Sequence, residues 1–84
     1  MIIKGRYLEG GILDPIEIDD SNIEYVGVTS YTGGDRYINF LMKDRGHYYS
    51  FFTFHISGIP TAVVDTDTMD YIEEEIKQWR KGER

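Results

Sequence analysis

Residues 36–56 read RYINFLMKDRGHYYSFFTFHI, two runs rich in aromatic and branched apolar residues on either side of a short polar segment. Runs of this composition favour β-strands. A three-residue segment that ends in glycine is a common hairpin loop, because glycine adopts the left-handed conformation without strain. We therefore predict an antiparallel hairpin with its loop at residues 44–46. This register would place Leu41 opposite Tyr49.

Four more segments of strand-like composition lie on either side of this hairpin, and turn residues separate several of them. The six predicted strands are Ile2–Leu8, Ile12–Ile18, Ile23–Tyr31, Arg36–Lys43, His47–Ile56 and Thr61–Val64. Gly33 and Gly34 fit a two-residue turn, which would place Val28 opposite Asn39. Parallel strands need crossover connections of a dozen residues or more, so these short connections predict antiparallel pairing throughout.

The last quarter of the sequence changes from a strand pattern to a helix pattern. Its large apolar residues are spaced by three, four and three positions, at Met69, Ile72, Ile76 and Trp79. This spacing predicts one apolar stripe on an α-helix over residues 68–81. We expect Asp67 or Thr68 to cap its start, and we expect Glu73 to pair with Lys77 one turn further on.

Length and composition restrict the architecture to one small domain. The chain has 84 residues, no cysteine and 14% aromatic residues. Without cysteine there are no disulfides or sulfur metal ligands, so an apolar core must stabilise the fold. We predict a single α+β domain over residues 1–84, β-rich over 1–65. Five or six antiparallel strands would form a curled sheet or partial barrel, with one C-terminal α-helix packed across it.

The acidic residues are concentrated in two blocks. The formal charge is −6, and residues 9–24 and 65–75 each carry six acidic side chains and no Lys or Arg. This charge argues against general nucleic-acid binding, which requires cations to neutralise phosphates. The blocks are compatible with a surface that meets a basic protein, including an inhibitor that occupies the nucleic-acid site of its partner. They are also compatible with a solvated rim and favourable charge at a helix start.

One face of the predicted sheet is apolar but has no helix to cover it. In the predicted register this face consists of Val26, Val28, Tyr37, Leu41, Tyr49 and Phe51, with His47 at its border. A sheet that is covered on one side ordinarily shows polar residues on the other. The leading hypothesis is therefore a small, non-enzymatic interaction protein. It would form a homo-oligomer and bind another protein through this face.

Two other functions are compatible with the same region. The aromatic side chains of this face could stack on a nucleotide or another small molecule, with Arg36 or Arg45 binding a phosphate. A small enzyme could use a carboxylate–histidine pair such as Asp44 with His47. These alternatives remain open on the sequence alone.

Recognisable cofactor and metal motifs are absent from the sequence. There is no phosphate loop, dinucleotide fingerprint or nucleophile elbow, so we predict no cofactor. Residues 65–70 begin like a calcium loop, but Asp70 stands where that loop needs glycine and Ile76 where it needs glutamate. His47 and His55 would lie about 26 Å apart along one strand, too far to share a metal ion. No apolar run approaches a membrane span and no signal-peptide pattern is present, which predicts a cytoplasmic protein.

Overall fold

A computed structural model of the chain describes residues 1–44, 46–58 and 62–82. The strands are β1 (Ile2–Arg6), β2 (Ile12–Glu17), β3 (Ile23–Ser30), β4 (Arg36–Met42), β5 (Tyr48–Phe52) and β6 (Ala62–Val63), and the helix is α1 (Thr66–Gly82). A 3-10 turn at Asp20–Asn22 connects β2 to β3. Each predicted strand has a counterpart, although Thr61 lies outside the described residues. The α+β class with a C-terminal helix is confirmed.

The strands form two sheets where the sequence predicted one. β1 and β2 make an antiparallel hairpin, and β3 to β6 make a four-stranded sheet in sequence order. β6 runs parallel to β5, so the prediction of antiparallel pairing throughout is wrong at this pair. This direction places Val64 beside Tyr7, where an antiparallel bridge joins the two sheets.

The sheets do not close into a barrel. Within the described part of the chain, β2 and β3 have no strand partner on their outer sides. Helix α1 contacts both sheets. The hydroxyl of Thr68 accepts a 2.8 Å hydrogen bond from the Arg6 amide on β1, and Arg80 Nη2 donates to the Val26 carbonyl on β3 at 3.3 Å. The helix thus connects the two sheets through side-chain contacts.

The β3–β4 hairpin lies one residue out of the predicted register. Val28 lies opposite Ile38, one position earlier than the turn prediction places its partner. The Tyr31 amide donates to the Asp35 carbonyl at 2.8 Å, so the loop contains three residues, 32–34, instead of two. Both glycines of this loop have φ of +91°, a conformation that serves a three-residue loop as well as a two-residue turn.

The β4–β5 hairpin is also one residue out of the predicted register. Ile38 lies opposite Phe51, and Leu41 lies opposite Tyr48 instead of Tyr49. The Met42 amide donates to the His47 carbonyl at 3.2 Å, which makes this a four-residue loop instead of a three-residue loop. Because side chains alternate between faces along a strand, a slip of one residue regroups the residues that share a face.

The core lies between α1, the β1–β2 hairpin and the inner face of the four-stranded sheet. Its completely buried side chains are Ile3, Ile18, Ile38, Phe40, Phe51, Val64, Met69, Ile72 and Ile76. Phe40 and Phe51 meet edge to face, with ring centroids 6.0 Å apart. Three residues of the predicted helical stripe are among the buried ones, and Trp79 is half-buried at its end. The stripe is therefore confirmed as the side of α1 that packs on the core.

Helix α1 begins two residues earlier than predicted. The Thr68 amide donates to Asp65 Oδ1 at 2.8 Å, so Asp65 is the capping residue. The predicted caps, Asp67 and Thr68, lie inside the first turn. Hydrogen bonds from Thr68 lower the pKa of Asp65 from its ordinary value, because they favour the ionised carboxylate. The larger effect comes from the Thr68 side chain and the smaller one from its backbone amide.

Removing this cap is expected to destabilise the protein in a pH-dependent way. Asp65→Ala should lower the free energy of unfolding by about 1 kcal/mol at neutral pH. Because the folded-state pKa is the lower one, the ionised cap stabilises fully above the unfolded-state pKa of about 3.9. Its contribution is lost as the pH falls through the folded-state value. Urea unfolding of the wild type and Asp65→Ala measures the difference between their free energies of unfolding. We expect this difference to be smaller at acidic pH than at neutral pH.

Asp65→Asn is the matched control, since asparagine caps a helix without a charge. It should keep most of the stability at neutral pH and should lack the acid-dependent loss at this position. An alanine variant as stable as the wild type at neutral pH would contradict the assignment of the cap.

Candidate functional site

The outer face of the four-stranded sheet carries three exposed apolar side chains in one row. Tyr25 is 60% exposed, Leu41 42% and Tyr48 51%. Tyr25 lies opposite Leu41 on β3 and β4, and Leu41 lies opposite Tyr48 on β4 and β5. Directly opposed residues share a face, so these three form a continuous cross-strand row, here named the Tyr-Leu-Tyr row. Single exposed apolar residues are common on proteins, but three adjoining ones make a patch.

The rest of the outer face consists of a polar strip and a second aromatic group. The cross-strand set next to the Tyr-Leu-Tyr row is Gly27, Asn39 and Ser50. Ser50 Oγ donates to Asn39 Oδ1 at 3.0 Å. Beyond this strip, the rings of Tyr37 and Phe52 stack with centroids 4.3 Å apart. The outer face therefore alternates between aromatic and polar rows.

A glycine allows the Tyr25 ring to lie along the sheet. A Cβ atom at position 27 would lie 3.2 Å from Tyr25 Cε2 and 3.4 Å from the hydroxyl oxygen. These distances are at the short end of the normal packing range. Gly27 thus leaves the space in which the Tyr25 ring rests, and a larger residue would press against it.

The residues that the sequence grouped into one apolar face lie in three places. The hairpin loops are each one residue longer than predicted, and this difference separates the group. Val26, Val28, Tyr49 and Phe51 lie on the inner face, Tyr37 and Leu41 lie on the outer face, and His47 lies in the exposed hairpin loop.

Sequence reasoning missed two residues of the Tyr-Leu-Tyr row. The predicted register placed Tyr25 and Tyr48 on the face that the helix covers. Only the number of residues in each loop distinguishes this arrangement from the observed one, because strand composition is the same in both. A register with one more residue in each loop places both tyrosines beside Leu41 on the uncovered face.

Arg36, a predicted phosphate ligand, is held by two carboxylates of α1. Its side chain is only 17% exposed, and its Nη1 lies 2.7 Å from Asp70 Oδ1 and is also ion-paired with Glu73. Burial alone would lower the pKa of Arg36, but hydrogen bonds and attraction from both carboxylates raise it above the ordinary value. Because the two carboxylates neutralise the charge of Arg36, they disfavour its binding to a phosphate. Glu73 pairs with Arg36, and the predicted pair between Glu73 and Lys77 is not among the ion pairs of the described residues. The other predicted ligand, Arg45, lies outside those residues.

The predicted carboxylate–histidine pair is present as an exposed contact. His47 Nδ1 lies 3.8 Å from Asp44 Oδ2, which also accepts a 3.0 Å hydrogen bond from Asn22 Nδ2. These contacts connect the β4–β5 loop to the segment before β3. Electrostatic stabilisation of a reacting group is strongest where water is excluded, and both members of this pair are exposed to water.

The two acidic blocks adjoin beside the C-terminal half of α1. Asp20 and Glu75 line the same shallow hollow, and Trp79 Nε1 donates to the Asp20 carbonyl at 3.2 Å. The amino group of Met1 forms an ion pair with the Asp20 side chain. In residues 1–44, 46–58 and 62–82, the acidic side chains without an ion-pair partner are Asp14, Glu17, Asp19, Glu24, Asp35, Asp65, Asp67, Glu74 and Glu75. Most acidic side chains of the described residues therefore form no ion pair within this part of the chain.

Comparison of the chain with protein-family models, with curated proteins and with solved structures finds no match. Within the described residues, no three His, Asp or Glu side chains converge in a way that could hold a metal ion. No helix in the same part of the chain combines the length and apolar character that crossing a membrane requires.

Proposed function

We propose that this protein is a non-enzymatic interaction protein that binds another protein through the outer sheet face. The Tyr-Leu-Tyr row would form the centre of the contact. The observation that carries the proposal is the exposure of this row on a face that α1 leaves uncovered. Tyrosine is favoured in protein interfaces because it contributes a large contact area at a small cost in conformational entropy.

The charge of the protein favours a basic partner. Glu24 is exposed and directly precedes Tyr25, so a carboxylate borders the row. The net charge of −6 attracts positively charged proteins over a distance of several ångströms and speeds their association. The proposed partner therefore has an apolar patch bordered by lysine or arginine side chains. Nucleic-acid-binding proteins are one class with such cations, so an inhibitor of one of them is a specific form of this function.

Side chains of the outer face already contact other residues of this chain without a partner. Its aromatic side chains lie on a hydrogen-bonded sheet, with Tyr25 against Gly27 and Tyr37 stacked on Phe52. Groups that are already held in place lose less conformational entropy when they enter an interface. This arrangement supports binding by a preformed surface.

The experiment compares immobilised wild-type protein with two variants that each replace one exposed aliphatic residue. Leu41→Ser interrupts the Tyr-Leu-Tyr row, whereas the control Ile12→Ser changes a residue that is 79% exposed on β2. We expect that a partner protein will be retained equally by the immobilised wild type and by Ile12→Ser. The same partner should bind Leu41→Ser at least about 10-fold more weakly. Its retention should also decrease when the salt concentration rises from about 50 mM to about 500 mM.

Circular dichroism and the thermal midpoint establish that both variants are folded. Equal retention by Leu41→Ser and the wild type would contradict the outer-face site. Retention that depends on Leu41 but not on salt would contradict the basic character of the partner.

A further inference from the structure

The edge of β3 carries backbone hydrogen-bonding groups that the rest of the described chain does not use. The Tyr31 amide donates to the Asp35 carbonyl. Backbone groups alternate in direction along an antiparallel strand, so the amide and carbonyl of Thr29 point toward β4. Those of Val28 and Ser30 point away from β4. The bond from Arg80 to the Val26 carbonyl agrees with this alternation, because it reaches β3 from the outer side. Among the described residues, Val28 and Ser30 have no hydrogen-bond partner on that side.

The other sheet edge is protected in a way that β3 is not. β2 contains Pro15, which lacks an amide donor, and the exposed carboxylates of Asp14 and Glu17. Proline and charge are features that prevent an edge strand from pairing with another chain. Strand β3 has eight residues and no proline. Beyond the Arg80 contact at Val26, the outward backbone groups of Val28 and Ser30 therefore lie on a part of the edge that has neither proline nor a charged residue of β3.

We propose that β3 pairs with β3 of a second copy of this chain, antiparallel about a two-fold axis. This pairing would join two four-stranded sheets into one sheet of eight strands. Val28 would lie opposite Ser30 of the second copy, and the amide and carbonyl of each would exchange hydrogen bonds. The two-fold axis would pass beside Thr29 and bring the two Thr29 side chains together, a favourable cross-strand pair. This register leaves the contact between Arg80 and Val26 intact.

A second copy satisfies this edge better than an arbitrary extended peptide. Antiparallel pairing about a two-fold axis gives each copy the same donors and acceptors, which makes the contact self-complementary. Residues 25–34 contain no charged side chain, although the whole chain carries −6. The outward residues of β3 therefore add no charge to the contact, and the nearby carboxylates of Asp70 and Glu73 are ion-paired with Arg36. The β3 edge is distinct from the outer sheet face, so this proposal does not depend on the proposed function.

Hydrogen exchange of the wild-type protein tests the pairing directly. In a monomer the outward amides of Val28 and Ser30 exchange rapidly, because they have no acceptor. We expect their exchange to slow as the protein concentration rises from about 10 µM to about 500 µM, while light scattering shows the mass doubling. A monomeric mass with rapid exchange at both positions over the whole range would overturn the proposal.

Val28→Pro removes an outward amide without removing a hydrogen bond of the β3–β4 ladder. We expect this variant to remain folded by circular dichroism and to be monomeric. A folded Val28→Pro that still dimerises would also overturn the proposal, since another surface would then hold the copies together. If the variant does not fold, the wild-type exchange experiment decides alone. Leu41→Ser should still dimerise, which separates this contact from the outer face.

Discussion

Phe40→Ala is expected to lower the free energy of unfolding by about 3–5 kcal/mol, because truncation of a buried aromatic leaves a cavity that the surroundings fill only in part. The Phe40 side chain is completely buried and packs edge to face against Phe51. Small domains have net stabilities of about 5–15 kcal/mol, so this single change removes a large part of the total. Urea unfolding followed by circular dichroism measures the loss.

The neighbouring residue provides a control for both burial and register. Leu41 follows Phe40 on β4 but lies on the outer face, so Leu41→Ala should cost less than about 1 kcal/mol. A double-mutant cycle with Phe40→Leu and Phe51→Leu should show a coupling of about 0.5–1.5 kcal/mol between the two rings. The register predicted from the loops alone would separate these rings onto opposite faces. Equal losses at positions 40 and 41, or an absence of coupling, would contradict the observed register.

Gly5→Ala is expected to destabilise the protein by about 1–3 kcal/mol through overpacking. A Cβ atom on Gly5 would lie 2.1 Å from Thr68 Oγ1 and 2.8 Å from Thr68 Cβ. The Thr68 Cβ is attached directly to the backbone of α1, so rotation of the side chain cannot relieve the whole clash. The first turn of the helix would have to move, and the bond from the Arg6 amide to Thr68 would weaken.

Gly11→Ala is the matched control on the same hairpin. A Cβ atom at position 11 would lie 3.6 Å from Tyr7 Cδ2, an ordinary contact, so we expect a change within about 0.5 kcal/mol. Thermal or urea unfolding of both variants gives the comparison. Adding Thr68→Ala to Gly5→Ala should cost less than the sum of the single changes, because the second change relieves part of the clash. Similar stabilities for Gly5→Ala and Gly11→Ala would show that β1 and α1 do not meet this closely.

The positions of the strands and of the helical stripe could be predicted because they depend on local pattern. Met69, Ile72 and Ile76 repeat at the helical period, and no other regular structure places all three on one side. The strands could be located because β-branched and aromatic residues are concentrated between turn residues. These features need no knowledge of distant contacts.

The candidate site could be predicted only as a type of surface. Tyr48-Tyr49 and Phe51-Phe52 are adjacent aromatic pairs, so β5 is apolar on both faces and gives no signal that favours one register over another. One additional residue in each loop moves the residues of β3 and β5 to the opposite face relative to those of β4. The outer surface is an uncovered face with apolar residues, as expected, but four of the six strand residues predicted for that face lie on the inner face: Val26, Val28, Tyr49 and Phe51.

The amino-acid sequence by itself determined the α+β class, the approximate place of six strands and the buried side of α1. These follow from side-chain periodicity and from the short-range preferences of glycine and branched residues. The tertiary structure alone decided the parallel direction of β6, the pairing of Arg36 with Asp70 and Glu73, and the exposure of the Tyr-Leu-Tyr row. Each of these depends on the free energy of contacts between segments distant in sequence, which local pattern does not specify.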